Sequence, residues 1–257
     1  MVGIDQVLEK LSTVIDPDLK KDIVSMGMIK DLELNDGDLK FTLELTTPAC
    51  PFNVEIEDDV RKVIAELSDL KNFDLNVTAK VMEGRSLEAD TQMATVKNII
   101  GVASGKGGVG KSTVSLNLAL ALSQTGAKVG LLDADIYGPS IPLMLGMKDG
   151  SMEVEDNKLQ PADCNGLKVV SFGFFADQSN QAAIYRGPII SGILKQFLVD
   201  TNWSELDYLI VDLPPGTGDI PLTLAQTIPI TGILVITTPQ DVASNVAVKA
   251  VSMFEKL

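Results

Sequence analysis

The sequence predicts an α/β protein with a mostly parallel sheet, preceded by a small α+β domain. From residue 97 to 257, short apolar runs alternate with stretches of helical periodicity, which is typical of a parallel sheet flanked by helices. Residues 1–82 instead contain a helix, a hairpin, a second helix and a last strand. Between them, residues 83–96 begin with a polar run of no clear period and are predicted to be a linker.

The composition is that of a globular protein and excludes several classes of function. Apolar residues make up 45% and charged residues 22%, and 21 basic against 35 acidic residues give a net charge of −14. We therefore expect no nucleic-acid binding. The absence of histidine excludes Ser-His-Asp triads, Cys-His proteases and histidine-ligated zinc. With two cysteines, no signal peptide and no run of about 18 apolar residues, we expect a cytoplasmic protein that does not bind membranes.

The elements of the first domain follow from apolar spacing and turn residues. A first helix, ended by Asp16-Pro17, is predicted from Val7, Leu8, Leu11, Val14 and Ile15. Strands at residues 29–35 and 39–46 flank the hairpin turn Asn35-Asp36-Gly37-Asp38. A second helix and a last strand are predicted from Val60, Val63, Ile64 and Leu67, and from Leu75, Val77, Ala79 and Val81.

In the second domain, five short runs read as parallel strands that are apolar, and hence buried, on both faces. They cover residues 99–103, 129–132, 167–172, 208–211 and 232–237. The clearest intervening helix runs from Val114 to Ser123 and is ended by Gly126.

A phosphate-binding loop joins the first of these strands to that helix. Its residues match G-x-x-x-x-G-K-[ST] without a gap: Gly105, Lys106, Gly107, Gly108, Val109, Gly110, Lys111, Ser112 and Thr113. Glycines let backbone N–H groups turn toward phosphate oxygens, and the helix N-terminus adds the positive end of its dipole. Lys111 is expected to bridge the β- and γ-phosphates, and the Ser112 hydroxyl to bind Mg²⁺. The sequence thus predicts a P-loop NTPase.

Aspartates at two other strand ends complete the predicted site. Asp212 ends an apolar strand, as in a Walker B motif, and is expected to hold Mg²⁺ through water. Asp133 and Asp135 follow the second strand, at the edge of the sheet where open α/β folds bind ligands. Spacing alone does not choose between these two.

The extra lysine of the loop, Lys106, makes the motif resemble the deviant Walker A family that contains MinD, ParA, the nitrogenase iron protein and the arsenical-pump ATPase. This resemblance implies ATP as the nucleotide and a homodimer in which Lys106 reaches the partner's nucleotide. It also implies that Asp135 orients the attacking water, with Asp133 as the alternative. Lys106, Lys111 and Asp135 are thus the expected catalytic residues.

Four further segments resemble the Mrp/ApbC branch of this family, which comprises iron-sulfur cluster carrier ATPases: residues 133–140, 185–188, 212–219 and 237–241. The resemblance implies iron-sulfur scaffold proteins and client apoproteins as partners. Residues 1–82 resemble the small MIP18-like domain often fused ahead of such ATPases, through Asp16-Pro17-Asp18 and Thr46-Thr47-Pro48-Ala49-Cys50-Pro51. Cys50 is either a reactive thiol or an unreactive, partly buried one. The branch's Cys-x-x-Cys pair is absent, so we expect a fragment whose full-length protein holds the iron-sulfur cluster.

Two other functions remain open from the sequence. One is a positioning or partitioning switch of the MinD/ParA type, although the basic amphipathic helix or basic surface that such proteins use for docking is not evident. The other is a nucleotide-binding scaffold with negligible turnover.

Overall fold

The computed structural model describes residues 2–48, 50, 52–67, 70–81, 93, 95–147, 152–156, 158–174, 187–216 and 228–255, with backbone alone at 187–191 and 195. The chain divides into two compact units, Met1–Met82 and Glu83–Leu257. Most of the predicted linker 83–96 lies outside the described residues, as do 185–186 and 217–219 of the family segments. Within the described residues, no helix is long and apolar enough to cross a membrane.

The first unit has the predicted order of elements. These are α1 (Ile4–Leu11), β1 (Ile29–Asn35), β2 (Asp38–Leu45), α2 (Asn53–Ala65) and β3 (Asn72–Ala79). Strands β1 and β2 pair antiparallel across a turn in which Asp36 and Gly37 have φ values of 49° and 93°, as a two-residue hairpin loop requires. Strand β3 pairs with β2 in parallel, with α2 as the crossover. Alternate residues of β2 are buried in the core, as the sequence predicts.

Helix α1 ends earlier than the apolar spacing predicts. It stops at Leu11, and the hydroxyls of Ser12 and Thr13 donate to carbonyls of the preceding turn. These side chains compete with the helical hydrogen bonds and end the helix before Asp16-Pro17. Val14 is still buried, whereas Ile15 is 48% exposed. Helix α2 is also shorter than predicted: it stops at Ala65, so Leu67 lies beyond its end.

The second unit is built on a six-stranded sheet in the order β11-β4-β10-β5-β9-β8. All neighbours pair in parallel except β8 and β9, which are antiparallel. Its elements are β4 (Val96–Ser104), α3 (Lys111–Gln124), β5 (Val129–Asp133), α4 (Ile141–Met144), β6 (Val154–Glu155), β7 (Lys158–Leu159), β8 (Ala162–Cys164), β9 (Leu167–Ser171), α5 (Gly187–Val199), β10 (Leu206–Asp212), β11 (Gly232–Ile236) and α6 (Asp241–Phe254).

The five predicted strands of this unit are confirmed as β4, β5, β9, β10 and β11. Strand β11 departs from the expected burial on both faces, because Leu234 is 41% exposed. It lies at the end of the described sheet and has one strand neighbour there, β4. The short strands β6, β7 and β8 carry no continuous apolar run, so the sequence does not signal them.

The sheet brings the predicted site residues to one edge. Because β4, β10 and β5 are adjacent and parallel, their carboxyl ends meet. Asp212 at the end of β10 is directly opposite Asp133 at the end of β5, and the phosphate loop follows β4. This is the edge at which open α/β sheets bind their ligands.

Candidate functional site

The loop between β4 and α3 has the backbone of a phosphate cradle. Gly108 and Gly110 have φ values of 77° and 92°, in the left-handed region that residues with a Cβ adopt rarely. Gly110 is also the residue that precedes α3, which begins at Lys111. Within the described part of the chain, the N–H groups of residues 107–110 donate to no carbonyl. They are available to an anion, next to the positive end of the helix dipole.

Gly105, the first residue of the loop, packs closely against α6. A Cβ at this position would lie 2.6 Å from Cγ1 of Val246 and 3.1 Å from its backbone carbonyl carbon. The close approach therefore requires glycine here. It also fixes the start of the loop against a helix that follows the last strand of the sheet.

The structure brings together Lys111 and Asp212, which are far apart in the sequence. The Lys111 Nζ lies 2.7 Å from Oδ1 of Asp212, and the two side chains are 6% and 0% exposed. Each charge removed from water here has the other as its counter-charge, because a buried ion left alone is costly. In this arrangement the lysine of the predicted phosphate loop is held by the aspartate that ends β10.

Two serines of α3 surround this ion pair. The Ser112 hydroxyl lies 3.5 Å from Nζ of Lys111, and the Ser115 hydroxyl lies 2.6 Å from Oδ1 of Asp212. The other carboxylate oxygen of Asp212, Oδ2, is buried and has no hydrogen-bond partner among the described residues. A buried acceptor without a partner is unfavourable, so this oxygen is available to a ligand.

Asp133 and Asp135 lie in different surroundings although they are two residues apart. The Asp133 carboxylate is fully buried and accepts hydrogen bonds from the N–H groups of Asp135 and Ile141 and from the Ser171 hydroxyl. Burial raises the pKa of Asp133 to about 6, and the nearby negative charge of Asp212 acts in the same direction against those hydrogen bonds. Asp135 is only partly buried and, among the described residues, accepts one long hydrogen bond, from the N–H of Gly138 at 3.3 Å.

The remaining candidate residues are placed as follows. Lys106 and Thr113 are exposed, on the loop and on the first turn of α3. Cys50 belongs to the first unit, is partly buried and lies just ahead of α2, where its carbonyl accepts a hydrogen bond from the N–H of Asn53. Among the described residues, no group of three or more cysteine and acidic side chains could hold a metal ion.

Ser115 and Val246 contact the site but are not among the residues that the sequence predicts for it. Ser115 lies outside the G-x-x-x-x-G-K-[ST] pattern, but it is four residues after Lys111 and hence on the same face of the helix. That spacing is a signal the sequence does contain. The contact of Val246 with Gly105 depends on how α6 packs, and no local pattern reveals it.

Two family models match the chain. A family model described as the NUBPL iron-transfer P-loop NTPase, ParA, matches residues 95–257, and one described as an iron-sulfur cluster assembly protein matches residues 4–73. Relatives that match nearly the whole chain include the following two. The chain is 47% identical to an iron-sulfur cluster carrier protein of Synechocystis sp., covering 100% of this chain and 74% of that protein. It is also 47% identical to the chloroplastic Fe-S cluster assembly factor HCF101 of Arabidopsis thaliana, covering 98% of this chain and 48% of that protein.

A solved structure resembles the second unit. It is a nucleotide-binding protein of Archaeoglobus fulgidus in complex with ADP, which is 42% identical and has a TM-score of 0.56. The match covers 64% of each chain. That protein thus shares both the fold and a substantial part of the sequence of this one.

Proposed function

This chain belongs to the family of NUBPL-type iron-transfer P-loop NTPases, and from that premise we propose that it binds and hydrolyses Mg-ATP as part of an iron-sulfur cluster carrier. The observation that carries the proposal is the contact between Lys111 and Asp212. It joins the lysine of the phosphate loop to the aspartate of the Walker B strand beside a row of free N–H groups. A lysine, an aspartate and free N–H groups together are the features that a site for a phosphate chain and its metal requires.

Phosphate binding rests on charge and on geometry. The free N–H groups of residues 107–110 surround the phosphate oxygens, and the N-terminus of α3 faces them. Lys111 moves from Asp212 to the β- and γ-phosphates, so its charge is balanced in both states. ADP in the Archaeoglobus fulgidus protein supports a nucleotide as the ligand, and the family resemblance of the loop favours ATP.

The residues around Asp212 fit a Mg²⁺ ion. Its Oδ2 atom is a buried, unpartnered carboxylate oxygen, and Ser112 supplies a hydroxyl near Lys111. Carboxylate and hydroxyl oxygens, with water, are the ligands that Mg²⁺ prefers. Asp212 would hold the ion through water and Ser112 directly, and the ion would supply positive charge against the phosphate oxygens.

Hydrolysis requires a group that orients water, and Asp135 suits this role better than Asp133. Three hydrogen bonds occupy the buried Asp133 carboxylate, whose charged form is disfavoured at its position. Asp135 is partly exposed, and its carboxylate accepts one weak hydrogen bond among the described residues. We therefore propose that Asp133 shapes the end of β5, while Asp135 faces the attacking water.

The iron-sulfur cluster is the cargo in this proposal. Both relatives named above are proteins of iron-sulfur carriage or assembly, and the first unit matches an iron-sulfur assembly model. We propose a homodimer in which Lys106 contacts the partner's nucleotide. The cluster would be received from a scaffold protein and passed to client apoproteins by the full-length protein.

The variant Asp135→Asn tests the hydrolytic role. The amide keeps the shape of the side chain but removes its charge, so we expect nucleotide binding to persist while the turnover of the full-length protein falls by at least about 100-fold. Calorimetry and phosphate release measure the two properties separately. Near-normal turnover would remove Asp135 from the mechanism and transfer its role to Asp133, to be tested next with Asp133→Asn.

A further inference from the structure

Ser115 is the one hydroxyl in the described part of α3 that contacts the Walker B aspartate and is not part of the phosphate-loop motif. It lies one helical turn after Lys111 and is fully buried. Its Oγ atom is 2.6 Å from Oδ1 of Asp212 and 3.0 Å from the carbonyl oxygen of Lys111. A hydroxyl has one proton to donate, and the shorter, charge-assisted bond to the carboxylate takes it.

Because of this bond, the two oxygens of the Asp212 carboxylate have different surroundings. Oδ1 accepts from Ser115 and Lys111, while Oδ2 is buried without a partner among the described residues. A carboxylate held through one oxygen cannot rotate freely about its terminal torsion. The free oxygen therefore keeps a fixed direction.

The two partners of Oδ1 differ in what they do when a nucleotide binds. Lys111 is the cation of the phosphate loop and has to leave Asp212 to reach the phosphates. Ser115 is in the interior of α3 and has no phosphate to contact, so its bond can persist. Mg²⁺ then replaces Lys111 as the counter-charge of Asp212.

We propose that Ser115 is a positioning residue for the metal: it holds Oδ1 of Asp212 so that Oδ2 faces the water shell of Mg²⁺ after Lys111 has moved to the phosphates. This inference rests on the proposed function. It adds a residue that acts through Asp212 and touches neither nucleotide nor metal.

If the role of Ser115 is purely structural, a different result is expected for the dependence of nucleotide binding on Mg²⁺. Serines inside helices often donate to the carbonyl four residues earlier, and the 3.0 Å contact with Lys111 has that geometry. Removing such a bond would alter the stability of α3 regardless of Mg²⁺. The dependence of nucleotide binding on Mg²⁺ therefore separates the two roles.

The test is a titration of MgCl₂ against a fixed amount of fluorescent ADP, with a parallel binding curve in EDTA. We expect Ser115→Ala to raise the Mg²⁺ concentration for half-maximal binding by about tenfold, the size of a lost hydrogen bond to a charged group, and to leave the EDTA curve unchanged. Ser115→Cys keeps nearly the same volume with a weak donor and should shift the Mg²⁺ requirement in the same direction. Ser123→Ala, two turns further along α3, is the matched control and should change neither curve.

Three outcomes are informative. A changed Mg²⁺ requirement in both Ser115 variants, with unchanged binding in EDTA, supports the positioning role. Equal weakening in Mg²⁺ and in EDTA, or no change in either, overturns it while leaving the proposed function intact. Failure of the unsubstituted protein to bind ADP in both conditions removes the proposed function, and this inference falls with it.

Discussion

Asp133 and Asp212 end neighbouring strands directly opposite each other, and both side chains are fully buried. They differ in their partners, because Asp212 has the ammonium group of Lys111 while the donors to Asp133 among the described residues are neutral. When two carboxylates are buried near each other and a cation contacts only one of them, protonation of the other is favoured. This difference in partners is consistent with the raised pKa of Asp133.

Stability is expected to depend on pH through Asp133. Its folded-state pKa of about 6 is above the ordinary value of 3.8, so between these pH values the folded state binds more protons than the unfolded state. Its contribution to the free energy of unfolding therefore decreases as pH rises through that window. Relative to Asp133→Asn, we expect the unsubstituted chain to gain about 1 kcal/mol between pH 7.5 and pH 5.

Urea unfolding at the two pH values measures this difference. The single tryptophan, Trp203, is buried in the core of the second unit, so its fluorescence reports the unfolding of the unit that contains Asp133. A free-energy difference between the two proteins that is the same at both pH values would contradict the raised pKa.

For single residues, the sequence predicts which side chains are functional better than it predicts which side chains they contact. The phosphate-loop pattern and the apolar strand before Asp212 predict two functional groups separately. That Lys111 pairs with Asp212 follows from the adjacency of β4 and β10, which periodicity does not reveal. Likewise, spacing leaves Asp133 and Asp135 equivalent, whereas burial and hydrogen bonding distinguish them.

At the scale of elements, the contact between the phosphate loop and α6 leads to a packing prediction. A methyl group on residue 105 would lie 2.6 Å from Val246 Cγ1. We expect Gly105→Ala to lower the free energy of unfolding of the second unit by about 1–3 kcal/mol, because the backbone or α6 must shift. Trp203 fluorescence in urea measures the loss.

A double-mutant cycle checks the cause. Val246→Ala removes the Cγ1 methyl group, which is the atom that a Cβ at residue 105 would meet first, so adding it to Gly105→Ala should recover part of the loss. Gly107→Ala is the matched control, since a Cβ there meets nothing within 4 Å. If Gly107→Ala destabilises the unit as much as Gly105→Ala does, the contact with Val246 is not the reason.

Elements with strong local signals are the ones that the sequence predicts correctly. The hairpin of the first unit depends on the Asp36-Gly37 turn, and the central strands on continuous apolar runs. The end of α1 is missed because Ser12 and Thr13 act against an apolar spacing that continues to Ile15. The exposure of β11 is not predicted, because the residues of a strand do not reveal its position in the sheet.

At the scale of the whole molecule, the exposure of Lys106 leads to a prediction about assembly. A lysine that acts on the partner's nucleotide matters only when two chains meet, so Lys106→Ala should leave nucleotide binding by the monomer nearly unchanged. Hydrolysis and nucleotide-induced dimerisation of the full-length protein should both decrease, as phosphate release and light scattering would measure.

Mixing two inactive variants sharpens this test. In a mixed dimer of Lys106→Ala and Lys111→Ala, the site with an intact Lys111 receives Lys106 from its partner and should recover part of its turnover. If mixed dimers form and no turnover returns, Lys106 does not act across the interface. The homodimer would then need another basis.

Calorimetry of MgADP binding decides whether Lys111 and Asp212 form a site for a Mg-nucleotide. The chain is compared with Lys111→Met, which keeps the length of the side chain but removes its charge, while Trp203 fluorescence verifies that the second unit stays folded. We expect the variant to bind at least about tenfold more weakly, because it loses a charge-assisted contact with the phosphates. Equal affinity of the two folded proteins for MgADP would contradict the account.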